Sequence, residues 1–161
     1  MTRTLQRLTE KTTILLLDYA CHPVSKNMEW HQRRDLGGMC AIGAATLQHA
    51  LKQRGIKATL LFGKFDPNTL FQSPIKWYVH KHCWLETDTH ILDPTVQQFL
   101  HYIPDDLRPP TPLVAPKTSR HAKPYILGKP VRAFHFWPKS CHPNCKNAAG
   151  IKHQDWLRGR L

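Results

Sequence analysis

The hydrophobic positions of the N-terminal segment recur at helical spacing. Between residues 4 and 20, apolar side chains lie three, four or seven positions apart, as they do along one face of a helix. Thr9, Thr12 and Thr13 weaken the helical preference because β-branched side chains lose rotational freedom in a helix. The pattern nevertheless predicts a helix over 4–20, and its apolar positions are Leu5, Leu8, Leu15, Leu16 and Tyr19.

A stronger helical pattern runs from Met39 to Arg54. This segment is rich in alanine, the best helix former. Gly55 follows it, at the place where a left-handed C-terminal cap belongs. The sequence therefore predicts a central helix over 39–54, whose apolar positions are Ala41, Ala44, Ala45, Leu47, Ala50 and Leu51.

After the central helix the pattern becomes that of β-strands. Residues 56–62 form an apolar run that Gly63 is expected to end, and 78–86 and 89–92 flank a polar turn at 87–88. A helix followed by antiparallel strands predicts an α+β domain, with the central helix packed on an antiparallel sheet.

The C-terminal part of the chain differs in composition. Residues 101–161 hold nine of the 13 prolines and 11 basic against three acidic residues. Proline removes a backbone donor and disfavours central strands, so 104–130 is expected to form an extended wrap or loop. We expect one domain over 1–161, with a core at about 35–100 and a basic, proline-rich wrap over 101–161.

Composition narrows the class of protein. A chain of 161 residues with 41% hydrophobic content can bury one core. The longest apolar run, Ile14 to Leu17, falls far short of the roughly 20 residues that cross a bilayer, and it is too short for a secretion signal. We therefore expect no membrane association and a cytoplasmic location, or delivery into another cell by a route that the sequence does not show.

Five cysteines, an odd number, argue against a disulfide framework. The formal net charge of +12 favours an acidic partner.

Cys40 stands at the start of the central helix, after Gly37 and Gly38. Unpaired N–H groups and the helix dipole favour an anion there, so the thiol is expected to ionise readily and to act as a nucleophile. The two glycines would let a substrate backbone approach the sulfur. The alternative is that Cys40 is a small buried residue.

The segment from Tyr78 to Thr95 carries the second group of reactive residues. Strand alternation places His80, His82, Trp84 and Glu86 on one face. With a two-residue turn at 87–88, the numbers of paired residues sum to 175, so that His82 lies opposite Asp93. A carboxylate there would fix the imidazole tautomer, as in a nucleophile–base–acid triad. The alternative is a solvated hairpin with polar side chains.

At these positions the chain resembles the transglutaminase-like branch of the papain-like cysteine enzymes. The resemblance implies a papain-like core, with Cys40 as nucleophile, His82 as general base and then acid, and Asp93 as the orienting residue. His80 is the alternative base. The matching pieces are Gly38-Met39-Cys40, Leu47, Leu51, Arg54-Gly55-Ile56-Lys57-Ala58, Gly63, His82-Cys83-Trp84-Leu85-Glu86 and Leu92-Asp93-Pro94-Thr95.

Three further residues are candidates for oxyanion or substrate binding. Gln32 could donate a side-chain N–H to an oxyanion, although a surface glutamine is the favoured interpretation, and the peptide N–H of Cys40 is the safer donor. Gly38 would give the substrate room. Trp84 either shields the imidazole of His82 or simply packs.

The spacing of Cys141 and Cys145 is that of half a zinc site, which Cys21-His22 or His153 could complete. This signal is weak, and we predict no metal and no cofactor.

The sequence thus predicts a thiol-dependent hydrolase that acts on an amide of a protein or peptide, as a glutamine deamidase or a cysteine peptidase. Acyl transfer to an amine by the same triad is one alternative. The other is a non-catalytic basic module that binds an acidic protein or nucleic acid. Nucleic acid is the less favoured partner because the basic residues of the C-terminal segment are spread singly among prolines, outside any known binding motif.

Overall fold

The structure is a computed structural model that describes residues 2–21, 36, 39–71, 78–131 and 160. Within these ranges helices and an antiparallel sheet combine, so the fold is α+β, as predicted. The helices are α1 (Thr2–Cys21) and α2 (Cys40–Lys52). The strands are β1 (Thr59–Phe65), β2 (His80–Glu86), β3 (His90–Asp93), β4 (Leu113–Pro116) and β5 (Tyr125–Pro130).

The five strands lie in the order β4-β3-β2-β1-β5, and all neighbours are antiparallel. The two outer strands come from the segment for which the sequence predicted an extended wrap or loop, and that prediction was wrong. Pro116 and Pro130 are the last residues of β4 and β5. At the end of an edge strand a missing N–H costs no central ladder hydrogen bond, so proline is tolerated.

Both predicted helices are confirmed. Thr9 and Thr12 of α1 are buried, and their hydroxyls donate to the carbonyls of Leu5 and Leu8, each at 2.8 Å. The buried hydroxyls of these two threonines are therefore satisfied within the helix. Helix α2 begins at Cys40 and is followed by Gly55, whose φ of 69° is the left-handed conformation predicted for it.

The first strand begins and ends later than predicted, and Gly63 lies inside it. A Cβ at Gly63 would lie 2.6 Å from both Trp84 Cη2 and the carbonyl oxygen of Ile126. The glycine therefore does not end the strand; it makes room for the indole of β2 and the backbone of β5.

The β2–β3 hairpin has a different register from the predicted one. Glu86 pairs with Ile91, whereas a two-residue turn would pair it with Thr89. The pairing is shifted by two residues, and Thr87 bonds to His90: Thr87 N–H donates to the carbonyl of His90 at 2.9 Å and the Thr87 hydroxyl accepts from His90 N–H at 3.0 Å. His82 therefore does not lie directly opposite Asp93.

Two hydrophobic clusters cover the faces of the sheet. Helices α1 and α2 pack on the face that carries Cys83 and Leu85. Trp84 lies in the other cluster, whose members come from the sheet and from residues 96–122. The alternation predicted for β2 is confirmed. In the described part of the chain, no helix combines the length and the apolar character that crossing a membrane requires.

Candidate active site

His82 and Asp93 are in direct contact. The Nε2 atom of His82 lies 2.7 Å from Oδ2 of Asp93, and both side chains are fully buried. An ionised carboxylate only accepts hydrogen bonds, so Nε2 donates. This leaves Nδ1 as the second nitrogen of the ring. The predicted pair is thus present, although the register that suggested it was wrong.

The carboxylate of Asp93 accepts four hydrogen bonds. Oδ2 also accepts from the hydroxyl of Tyr125 at 2.8 Å. Oδ1 accepts from the N–H of Thr95 at 2.8 Å and from its hydroxyl at 2.9 Å. Burial raises the pKa of Asp93, but the charge and hydrogen bond of His82, with those from Thr95 and Tyr125, outweigh it and lower the pKa. Asp93 is therefore a buried, ionised and fixed acceptor.

Cys40, the first residue of α2, completes the predicted group. It is partly exposed and packs against the cluster that contains Cys83. The side chain of Met39, the N-cap residue, makes no hydrogen bond to the first turn. The thiol is close enough to the imidazole that each group shifts the pKa of the other. Nδ1 of His82 is buried and, among the described residues, makes no hydrogen bond of standard geometry.

The pKa of Cys40 and that of His82 each depend on the charge of the other group. A hydrogen bond from the Cys83 thiol contributes most to lowering the pKa of Cys40; burial opposes it, and the hydrogen bond and charge of His82 lower it further, to well below its ordinary value. Burial lowers the pKa of His82, but Asp93 and then Cys40 outweigh burial and raise it to about 10. The arrangement thus favours a thiolate beside an imidazolium at neutral pH.

His80, the alternative base, lies elsewhere. Its ring packs on Tyr102 and Phe99, with centroid separations of 4.6 and 5.2 Å. Burial and the neighbouring His101 and His82 lower the pKa of His80. The groups that shift the pKa of Cys40 include His82 and not His80, and it is His82 whose ring bonds to Asp93.

Trp84 is a packing residue of this site. It is 1% exposed, fills the space left by Gly63 and Gly128, and donates from Nε1 to Glu86 at 3.1 Å. Its ring lies nearly parallel to that of His82, with centroids 6.3 Å apart. With the other aromatic neighbours it keeps the imidazole in dry surroundings, where the pairing with Asp93 is strong. Those neighbours are Phe65, Phe99 and Tyr125.

Gly43 sets the distance between α2 and the turn that follows Asp93. A Cβ on this residue would lie 2.9 Å from both Leu16 Cδ1 and Thr95 Cγ2. From the other side, the hydroxyl of Thr13 donates to the carbonyl of Pro94 at 2.7 Å and ties α1 to the same turn. Both helices are therefore held against the residues that fix the carboxylate.

Several candidates lie outside the described residues. These are Gln32, Gly38 and the proposed zinc ligands His22, Cys141, Cys145 and His153. Cys21 is described and is exposed at the end of α1. In the ranges that the structure describes, no three His, Cys, Asp or Glu side chains are grouped so as to hold a metal ion.

Sequence reasoning missed three residues of the site. Thr95 had a local signal, because Asp93-Pro94-Thr95 is the type of sequence in which an aspartate accepts from the N–H two residues later. Cys83 was placed on the face opposite His82, but its effect on the pKa of Cys40 depends on how α2 packs. Tyr125 is 32 residues from Asp93, and no local pattern connects the two.

Comparisons of the chain with protein-family models, with curated proteins and with solved structures give no match.

Proposed function

We propose that this protein is a thiol-dependent hydrolase that acts on an amide of a protein or peptide substrate through Cys40, His82 and Asp93. The observation that carries the proposal is that the two ring nitrogens of His82 have different surroundings. Its Nε2 is bound to a buried carboxylate, and its other nitrogen has no standard hydrogen-bond partner among the described residues, while the Cys40 thiol lies close to the ring. A nucleophile, a base and an orienting acid in this order form a catalytic triad.

In the first half of the reaction the Cys40 thiolate attacks the substrate carbonyl. The oxyanion that forms lies near the start of α2, where the peptide N–H of Cys40 is one donor. The imidazolium of His82 then gives its Nδ1 proton to the leaving amine or ammonia. The products are a thioester on Cys40 and a neutral imidazole.

In the second half His82 acts as a base. Nδ1 accepts a proton from water, the hydroxide attacks the thioester, and the thiolate–imidazolium pair is restored. Asp93 remains ionised throughout, since four hydrogen bonds hold its charge. An amine in place of water would give acyl transfer by the same groups.

The same proposal includes a papain-like, transglutaminase-like core. Its support is the chain order Cys40, His82, Asp93, and a helix that carries the cysteine and packs on an antiparallel sheet. We place the enzyme in the cytoplasm, where thiols stay reduced.

The net charge of +12 makes an acidic protein or peptide the expected substrate. The test is to incubate a cell lysate with the wild-type protein, Cys40→Ala and the control Cys21→Ala, and to map the peptides by mass spectrometry. Glutamine converted to glutamate indicates a deamidase, a new peptide end indicates a peptidase, and a cross-link indicates acyl transfer. The change must appear with wild type and Cys21→Ala and be absent with Cys40→Ala; a change that persists with Cys40→Ala contradicts the proposal.

A further inference from the structure

Helix α1 carries two large apolar side chains on its outer face. Ile14 is 68% exposed and Leu17 is 40% exposed, whereas the other four leucines of the helix are buried. Single exposed apolar side chains are common on protein surfaces, but these two lie three positions apart on one helix face and therefore form a patch. Water contact with such a patch is unfavourable, so a partner that covers it gains free energy.

Two adjoining cavities lie along this face of α1. Their volumes are about 460 and 370 Å³, within the range of roughly 300–1,000 Å³ that is typical of ligand sites. Glu10 and Ile14 line both cavities, so the two meet at these side chains. We call the combined depression the α1 groove; its lining also includes Arg7, Lys11, Arg54, Leu17, Gln97 and Pro112.

One end of the α1 groove is basic. Among the described residues, Glu10 is the one carboxylate that lines the first cavity, against the three cations Arg7, Lys11 and Arg54. Arg7 and Lys11 stand one helical turn apart, where like charges repel each other. Glu10 accepts a hydrogen bond from the side-chain amide of Gln6 at 2.9 Å. This excess of positive charge is complementary to an acidic partner.

The other end of the groove contains a polar atom that lacks a hydrogen bond. Oε1 of Gln97 is buried and makes no hydrogen bond with any described residue. An unpaired buried acceptor costs free energy. Gln97 lines the second cavity together with Leu17 and Pro112, so a rotation of its amide into the cavity would let Oε1 accept from a peptide N–H.

We propose that the α1 groove binds an extended segment of an acidic partner protein. Its carboxylates lie at the basic end, and its apolar side chains cover Ile14 and Leu17. From Arg7 to Leu17 the helix rises about 15 Å, which about five extended residues span. A basic, amphipathic helix can also lie on a membrane surface, but the concave shape and the unpaired amide of Gln97 favour a peptide.

The groove is separate from the proposed active site. Cys40 is the first residue of α2, whereas Arg54 follows the end of that helix, about 20 Å further along its axis. Binding at the groove therefore does not require the thiol, and the proposal goes beyond the proposed function.

The experiment selects a displayed library of random peptides of about twelve residues on the full-length Cys40→Ala protein, which leaves the peptides uncleaved if the chain is a hydrolase. A parallel selection uses the same protein with Arg7→Gln and Ile14→Gln. We expect the first selection alone to enrich peptides in which Asp or Glu lies close to Leu, Ile or Phe. Enrichment of the same peptides in both selections, or of none, would overturn the inference.

Fluorescence anisotropy then measures the affinity of the most enriched peptide for single variants. Arg7→Gln and Ile14→Gln should each weaken binding about tenfold or more, and added salt should weaken it as well. The matched controls are Lys57→Gln and Tyr78→Gln, an exposed cation and an exposed aromatic residue outside the groove, which should bind as before. Glutamine is a good helix former, so α1 is retained, and equal thermal unfolding midpoints confirm it.

Equal losses in the groove variants and in the controls would show that the net charge alone attracts the peptide, and would overturn the proposal. The same variants are mixed with vesicles that contain phosphatidylserine. Vesicle binding by the wild type that Arg7→Gln and Ile14→Gln abolish, without peptide binding, would assign the groove to a membrane surface instead.

This result is separable from that of the proposed function. Peptide binding at the groove of a protein without hydrolytic activity refutes the enzyme and leaves the binding site. Hydrolytic activity in a protein whose groove selects no peptide refutes the binding site and leaves the enzyme.

Discussion

The hydroxyl of Tyr125 donates to Oδ2 of Asp93, the same oxygen that accepts from His82. Tyr125 belongs to β5 at one edge of the sheet, and Asp93 ends β3 on the other side of β2 and β1. The bond therefore reaches across the sheet and fixes the carboxylate from the side away from Thr95. Tyr125 acts through Asp93 and His82, so we regard it as a positioning residue.

Replacing Tyr125 by phenylalanine should destabilise the protein by about 1–3 kcal/mol, because a buried, charged acceptor loses a donor. The measurement is the free energy of urea unfolding, with Tyr78→Phe as control, since Tyr78 is 73% exposed. The pKa of Asp93 should also rise towards its ordinary value of 3.8, so the loss of unfolding free energy that begins below that pH should be smaller and should be complete at a higher pH than in the wild type. Equal free energies of unfolding for the two variants would contradict a stabilising hydrogen bond from Tyr125 to Asp93.

Replacing Asp93 by asparagine should lower turnover by about 10⁴, as in other triads, because an amide no longer selects the tautomer or stabilises the imidazolium. Turnover is measured on the substrate found by peptide mapping. The control is Asp88→Asn in the exposed hairpin connection. Comparable turnover of the two variants would contradict the orienting role of Asp93.

The imidazole of His82 should remain protonated to about pH 10, whereas His80 and His121 should titrate below their ordinary value of 6.5. Because the folded pKa of His82 is raised, its contribution to stability is fully present below pH 6.5 and is lost as the pH rises towards about 10. Asp93 has a lowered pKa, so its contribution is present above its ordinary value of 3.8 and is lost as the pH falls through the folded value.

The measurement is an NMR titration of the histidine ring nitrogens, combined with unfolding free energies across the same pH range. A His82 ring that titrates near 6.5 would show that the buried ion pair does not form.

Replacing Gly43 by alanine should push α2 away from Pro94 and Thr95, because the new methyl would lie 2.9 Å from Thr95 Cγ2. We expect a loss of about 1–3 kcal/mol in unfolding free energy, as for other overpacked sites, and slower alkylation of Cys40. Gly55→Ala is the matched control. It should cost about 1–2 kcal/mol through its positive φ and leave Cys40 unaffected. The prediction fails if both variants leave Cys40 equally reactive.

Local patterns were enough to predict the two helices, the α+β class and the faces of β2, because helical and strand periodicity record which side is buried. The hairpin register was not predicted: the pairing is shifted by two residues, and His90 N–H donates to the hydroxyl of Thr87, a side-chain bond that strand alternation does not reveal. The strand character of 113–116 and 125–130 was hidden by prolines that stand at the strand ends.

The hydrogen bond from Tyr125 to Asp93 and the effect of Cys83 on the pKa of Cys40 are set by tertiary packing and leave no local pattern. Sequence order and residue type therefore suggested the triad, while its supporting hydrogen bonds required coordinates.

The most direct test of the central claim is the rate of iodoacetamide alkylation at Cys40 as a function of pH, in wild type and in His82→Ala. We expect fast labelling at about pH 6–7, faster than that of the exposed Cys21, because the thiolate of Cys40 is already formed. His82→Ala should slow the reaction in that range. Labelling of Cys40 only above about pH 8.5, as for an ordinary cysteine, and unchanged by His82→Ala, would contradict a thiolate–imidazolium pair and with it the enzyme.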